Sequence, residues 1–87
     1  MLAQLARLAQ ESATRLRVLE PLIPSGLRTS IAAGPIDGSN WCLLVNNAAS
    51  ASKLRQLAPA LLEALRRRGC EVTAIRVKVQ PKAFRSA

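Results

Sequence analysis

Between Asn40 and Val79 the spacing of apolar residues changes twice, and this change limits what the chain can fold into more than any other feature. Trp41 to Val45 is a compact apolar run of the kind a buried strand uses. From Ala51 onward Ala and Leu recur at steps of three and four, and after Gly69 strict alternation begins at Val72. A period that passes from strand-like to helical and then to two is the mark of a helix crossing over a sheet. The segment predicts a strand over 41–46, a helix over 48–68 and a strand over 72–80.

Local signals sharpen these bounds. Asn46 or Asn47 can cap the helix, because an Asn side chain accepts from the free donors of a first turn. Gly69 suits a left-handed helix end, and Arg66, Arg67 and Arg68 complement the negative end of the helix dipole. The apolar stripe is Ala51, Leu54, Leu57, Ala58, Leu61 and Leu65, with Lys53, Gln56, Glu63, Arg66 and Arg67 facing outward; Glu63 and Arg67 stand at i,i+4. Pro59 interrupts that helix, which predicts a kink near Arg55 to Ala58 or a split into two helices.

Upstream, Leu2, Leu5, Leu8, Ala9, Ala13, Leu16 and Leu19 form one face of a helix over 1–20, with Arg7, Glu11 and Arg15 largely opposite, ended by Pro21. Leu27 to Ala33 alternates, predicting a strand over 27–34; Gly34-Pro35 and Asp37-Gly38-Ser39-Asn40 then read as its connection to the next strand. In the last strand Thr73, Ile75, Val77 and Val79 take one face, and Arg76 and Lys78 project together from the other. The expected class is α+β: a three-stranded sheet packed by helices, one domain over 1–81, with a short basic tail over 82–87.

Composition excludes several functions. The chain has 87 residues, enough for one small core, and that core is aliphatic because there is one Phe, one Trp and no Tyr. No His is present, and Cys42 and Cys70 are too far apart for a metal knuckle, so neither a metal nor another cofactor is expected and both thiols read as reduced. Glu11, Glu20, Asp37, Glu63 and Glu71 are scattered and the glycines make no phosphate loop, so no catalytic residues and no small-molecule substrate are expected. No apolar run is long enough to span a bilayer, which fits a cytoplasmic protein with no membrane partner.

Charge is what remains. The net charge is +8, and between Arg66 and Arg85 seven basic residues stand against one acid, Glu71. Such an excess favours a polyanionic partner, bound through phosphates without reading sequence. The candidate nucleic-acid contacts are Lys53, Arg55, Arg66, Arg67, Arg68, Arg76 and Lys78. Trp41 and Leu44 are candidate partner contacts, although a Trp opening a strand also reads as the edge of the core.

If the helix divides at Pro59, the element order is similar to the type II K-homology fold. That fold clamps nucleic acid with a Gly-x-x-Gly loop between its two helices, whereas here Lys53-Leu54-Arg55-Gln56 and Ala58-Pro59-Ala60 stand in the region. The same stretch resembles the bacterial DciA family, through Trp41-Cys42-Leu43-Leu44-Val45, Asn47-Ala48-Ala49, Ala51, Lys53-Leu54-Arg55-Gln56-Leu57, Pro59, Leu61-Leu62, Leu65 and Ile75-Arg76-Val77-Lys78-Val79. The resemblance covers about half the chain strongly. It implies a K-homology-like domain that binds the DnaB-type replicative helicase and assists its loading onto single-stranded DNA, without ATPase activity, in the bacterial cytoplasm at the nucleoid. Many members also carry a long basic extension, and this chain ends soon after its last strand. Two other readings of the residues stand beside it: a K-homology-like RNA-binding module, and an adaptor whose charge meets an acidic protein.

Overall fold

The computed structural model describes residues 2–81. In chain order it contains α1 (Leu2–Leu19), a 3-10 turn (Glu20–Leu22), α2 (Ser25–Arg28), β1 (Ile31–Asp37), β2 (Asn40–Val45), α3 (Ala48–Arg67) and β3 (Ala74–Val79). The class is α+β, with one mixed three-stranded sheet packed by helices. β2 is central. It pairs antiparallel with β1 and parallel with β3, the latter from Asn40↔Ala74 to Val45↔Val79. A parallel neighbour requires a crossover, and α3 supplies it.

Both ends of α3 are set by the residues that signal them. The Asn47 side chain accepts from the Ser50 amide at 2.7 Å. At the other end Gly69 has φ 82; its amide donates to the Arg66 carbonyl and the Cys70 amide to the Leu65 carbonyl, both at 3.0 Å, which together make a Schellman ending. Ala51, Leu54, Leu61 and Leu65 are buried against the sheet, while Leu57 and Ala58 are half-buried.

The split at Pro59 does not occur: α3 is a single helix with Pro59 inside it. Pro59 and Arg55 are both exposed, so the Arg55 carbonyl that loses its intrahelical donor lies on the solvent side, where water can satisfy it.

The first strand is displaced from its expected place. Leu27 and Arg28 belong to α2, which starts after Pro24, and the strand begins at Ile31. It runs through Gly34-Pro35, which form part of β1 at a register shift between Ala33 and Ile36. Only Gly38 and Ser39 make the hairpin turn, with Gly38 at φ 60. β3 starts at Ala74, held to that turn by the Thr73 amide donating to the Ser39 carbonyl at 2.8 Å. The tail expected over 82–87 lies outside the described residues.

Strand alternation sorts the sheet into two faces. Trp41, Leu43 and Val45 of β2 are fully buried beneath the helices, opposite Ile75, Val77 and Val79 of β3. α1 packs chiefly on β1, α3 packs chiefly on β3, and the two helices touch one another, so they form one layer on that face. The extents of 33 × 33 × 18 Å accord with one helix layer on one sheet.

α1 buries a face turned to one side of the one its apolar pattern suggests. Leu19 is buried and Leu8 and Leu16 half-buried as expected, but Ser12 and Arg15 also point inward, and Ala9 and Ala13 are exposed. The Ser12 hydroxyl accepts from Trp41 Nε1 at 2.8 Å and donates to the Gly34 carbonyl at 2.6 Å, so a single oxygen ties α1 to both β2 and the β1 bulge. Arg15, 5% exposed, lies 5.9 Å from the Trp41 ring centroid and pairs with Glu11 at 3.1 Å. Gly34 is required at its place, since a Cβ there would stand 2.6 Å from the Cys42 carbonyl oxygen.

Two stability outcomes are expected. Ser12→Ala leaves the Trp41 N–H and the Gly34 carbonyl unpaired in the core, and costs about 2 kcal/mol or more, read as a lower urea midpoint with an unchanged slope. Pro59→Ala restores a helix donor at an exposed site and raises stability by about 1–3 kcal/mol in the same titration; a fall in the midpoint would contradict the account of Pro59 as an exposed helix flaw.

Candidate nucleic-acid interface

The basic side chains of α3 follow from its pitch. Arg55, Pro59, Leu62 and Arg66 recur at steps of four, three and four, so they form one row along the helix beside its buried stripe. Arg55 and Arg66 are exposed at the two ends of that row, about 16 Å apart along the axis. Pro59, Leu62, Glu63, Arg66 and Arg67 line a shallow groove near the end of the helix. Leu62 and Pro59 give that groove an apolar floor and the arginines give it positive walls.

The three arginines at the end of α3 are not equivalent. Arg66 has no ion-pair partner among the described residues. Arg67 donates to Glu63 at 2.8 Å, with both side chains largely in water, which partly neutralises it at little gain in stability. Arg68 caps the helix and lines a recess with Glu11, Arg15, Gly38, Cys70 and Glu71, where acids and bases alternate. Lys53 lies on the other flank of α3, in a recess with Pro24, Gly26, Leu27, Gln56 and Leu57. It is about 20 Å along the helix axis from Arg66.

Arg76 and Lys78 belong to a separate surface. They alternate with Ile75 and Val77 and so leave β3 on the face that carries no helix. By register they sit beside Cys42 and Leu44 of β2, and Ala32 of β1 lies across from Leu44. All three apolar neighbours are half-buried, while Arg76 and Lys78 are exposed and have no ion-pair partner among the described residues.

The seven basic candidates are thus divided by the sheet and do not form one patch. Arg55 and Arg66, with Arg67, make the most continuous basic strip; Lys53 and Arg68 line recesses apart from it. Leu44 is accessible for contact. Trp41 is 0% exposed with its N–H bonded to Ser12, so in this fold it serves the core and offers no surface to a partner. Sequence reasoning did not find Ser12 or Arg15. The available signals were the Glu11/Arg15 spacing of four and the need of a buried indole N–H for an acceptor.

Among the described residues no group of three or more His, Cys, Asp or Glu could hold a metal, and Cys42 and Cys70 are free thiols. No helix among them is long and apolar enough to cross a membrane. Compared with known proteins, the chain matches no family model and no curated sequence.

If the α3 strip holds phosphates, replacing Arg55 and Arg66 by Ala weakens binding to a single-stranded oligonucleotide. It also lowers the slope of log affinity against log salt by about 1.4, at about 0.7 for each phosphate no longer held. An unchanged slope would remove these two residues from the interface.

Proposed function

We propose that this chain is a non-enzymatic adaptor of DNA replication, holding single-stranded DNA on one surface and a DnaB-type replicative helicase on another, and so assisting the helicase onto DNA. The supporting observation is that Arg55 and Arg66 of α3 and Arg76 and Lys78 of β3 lie on opposite sides of one sheet. The α3 strip sets exposed arginines along a helix flank over Pro59 and Leu62, suited to a phosphate backbone. The helix-free sheet face combines Arg76 and Lys78 with apolar Ala32, Cys42 and Leu44, a mixture that suits a protein partner better than a nucleic acid. In this reading the fold is K-homology-like in its element order. The usual clamp between two helices is absent, because α3 is unbroken and the residues around Pro59 include no glycine. DNA would then be held along the outside of α3 instead of in a clamp.

The test titrates the purified chain into the replicative helicase of the same bacterium, with and without a fluorescent single-stranded oligonucleotide. The expected result is a binary complex with helicase and more helicase on the oligonucleotide when the chain is present. Binding to the oligonucleotide without binding to helicase would replace this reading with that of a nucleic-acid module; tighter binding to RNA than to DNA of the same sequence would make it an RNA-binding one.

A further inference from the structure

The helix-free face of the sheet has a shape and charge pattern of its own. Its middle is the row Ala32, Leu44 and Lys78, with Cys42 and Arg76 in the adjacent row. Gly34 has no side chain to cover the flank of Leu44, whose Cγ would lie only 3.2 Å from a Cβ at that position. Leu44 thus reaches the sheet edge at the β1 bulge, where a separate hollow of about 360 Å³ lies between α1 and β1, lined by Leu8, Ala9, Ser12, Pro35 and Ile36 among others. Among the described residues the positive charge of the helix-free face lies along one side only, on β3.

We infer that this face takes one amphipathic helix of a partner protein, its apolar stripe on Ala32, Cys42 and Leu44, and its acidic residues against Arg76 and Lys78. The occupant follows from dimensions and charge. Three strands of six or seven residues make a face about 14 Å wide and about 20 Å long, which accommodates a single helix about 10 Å across and about 13 residues long. Arg76 and Lys78 are two residues apart on a strand, about 7 Å, and acids at i and i+4 of a helix rise about 6 Å, so one pair meets the other. A second copy of this chain fits poorly. Two copies would set the Arg76 and Lys78 edge of one against that of the other, basic charge on basic charge. A nucleic-acid strand also fits poorly, because among the described residues no aromatic side chain on this face can stack a base. A docked helix would complete three layers, helix on sheet on helix, and cover the half-buried apolar residues that the fold leaves open.

This inference rests on the reading that the face meets a protein, but its test does not use the helicase, so either can fail without the other. The isotope-labelled chain is titrated with a synthetic amphipathic peptide of about 14 residues, Leu along one face and Glu at i,i+4 beside it, and amide shifts are followed by NMR. Expected are shifts concentrated at Ala32, Cys42, Leu44, Arg76 and Lys78. Leu44→Asp, and Arg76→Glu combined with Lys78→Glu, each weaken binding by about tenfold or more. The second variant alters exposed side chains only, so it keeps its fold and remains informative if the first does not. No binding, shifts centred on Arg55 and Arg66, or equal binding of a scrambled peptide of the same charge would each overturn the inference. So would an oligo-dT strand that shifts this face when the peptide does not.

Discussion

A single hydroxyl group stands at the centre of this fold. Ser12 accepts from the indole of Trp41 and donates to the carbonyl of Gly34, and through it the N-terminal helix is fixed to the middle strand and to the irregular point of the first. The three groups are mutually dependent. The indole can be buried only if its N–H is met, the carbonyl at the bulge has lost its place in the ladder, and the serine can turn inward only because both partners wait for it. Arg15 joins them from the next turn of the helix: its guanidinium lies over the ring face, an attraction of about 1–2 kcal/mol when desolvated, while Glu11 holds one of its nitrogens. Its Nε and Nη1 have no hydrogen-bond partner among the described residues, a cost that the stacking offsets to some degree.

That arrangement also decides where charge is displayed. With α1 and α3 side by side over Trp41, Leu43 and Val45, every basic residue of α3 is directed along or away from that layer, and the opposite face of the sheet is left to β3. Thirteen basic residues in so short a chain look like one polyanion-binding patch when counted along the sequence. The sheet instead separates the exposed arginines along α3 from Arg76 and Lys78 of β3, giving two surfaces of different chemistry. One is a helix flank in which arginines border Pro59 and Leu62, and the other is an apolar strip with cations along a single side.

Much of the architecture was legible because its signals are local. Asn47, Gly69 and the change of period after Val45 each act within a few residues, and each sets the boundary it announces. The Leu27 to Ala33 alternation misled because two of its residues were already committed: Pro24 opens a short helix that takes Leu27 into the core and delays the strand to Ile31. Gly34-Pro35 read as a turn, since nothing in the sequence reveals that α1 supplies a serine to hold a bulge there. Pro59 carries a local penalty that its exposed position softens, and exposure is a tertiary property. The candidate site was legible in residue type and not in grouping, because periodicity places Arg76 and Lys78 on one face of a strand without saying which face the helices cover.

The parallel pairing of β2 with β3 has a consequence for the order in which the fold can be made. β1 and β2 are joined by a tight turn and can zip early, but β3 joins its neighbour only after the whole of α3 has been laid across the sheet. During synthesis the central strand, which carries Leu43 and Val45, is therefore an unprotected edge for as long as β3 remains inside the ribosome. β3 thus acts as a latch, and until it closes the chain is most exposed to pairing with the wrong neighbour.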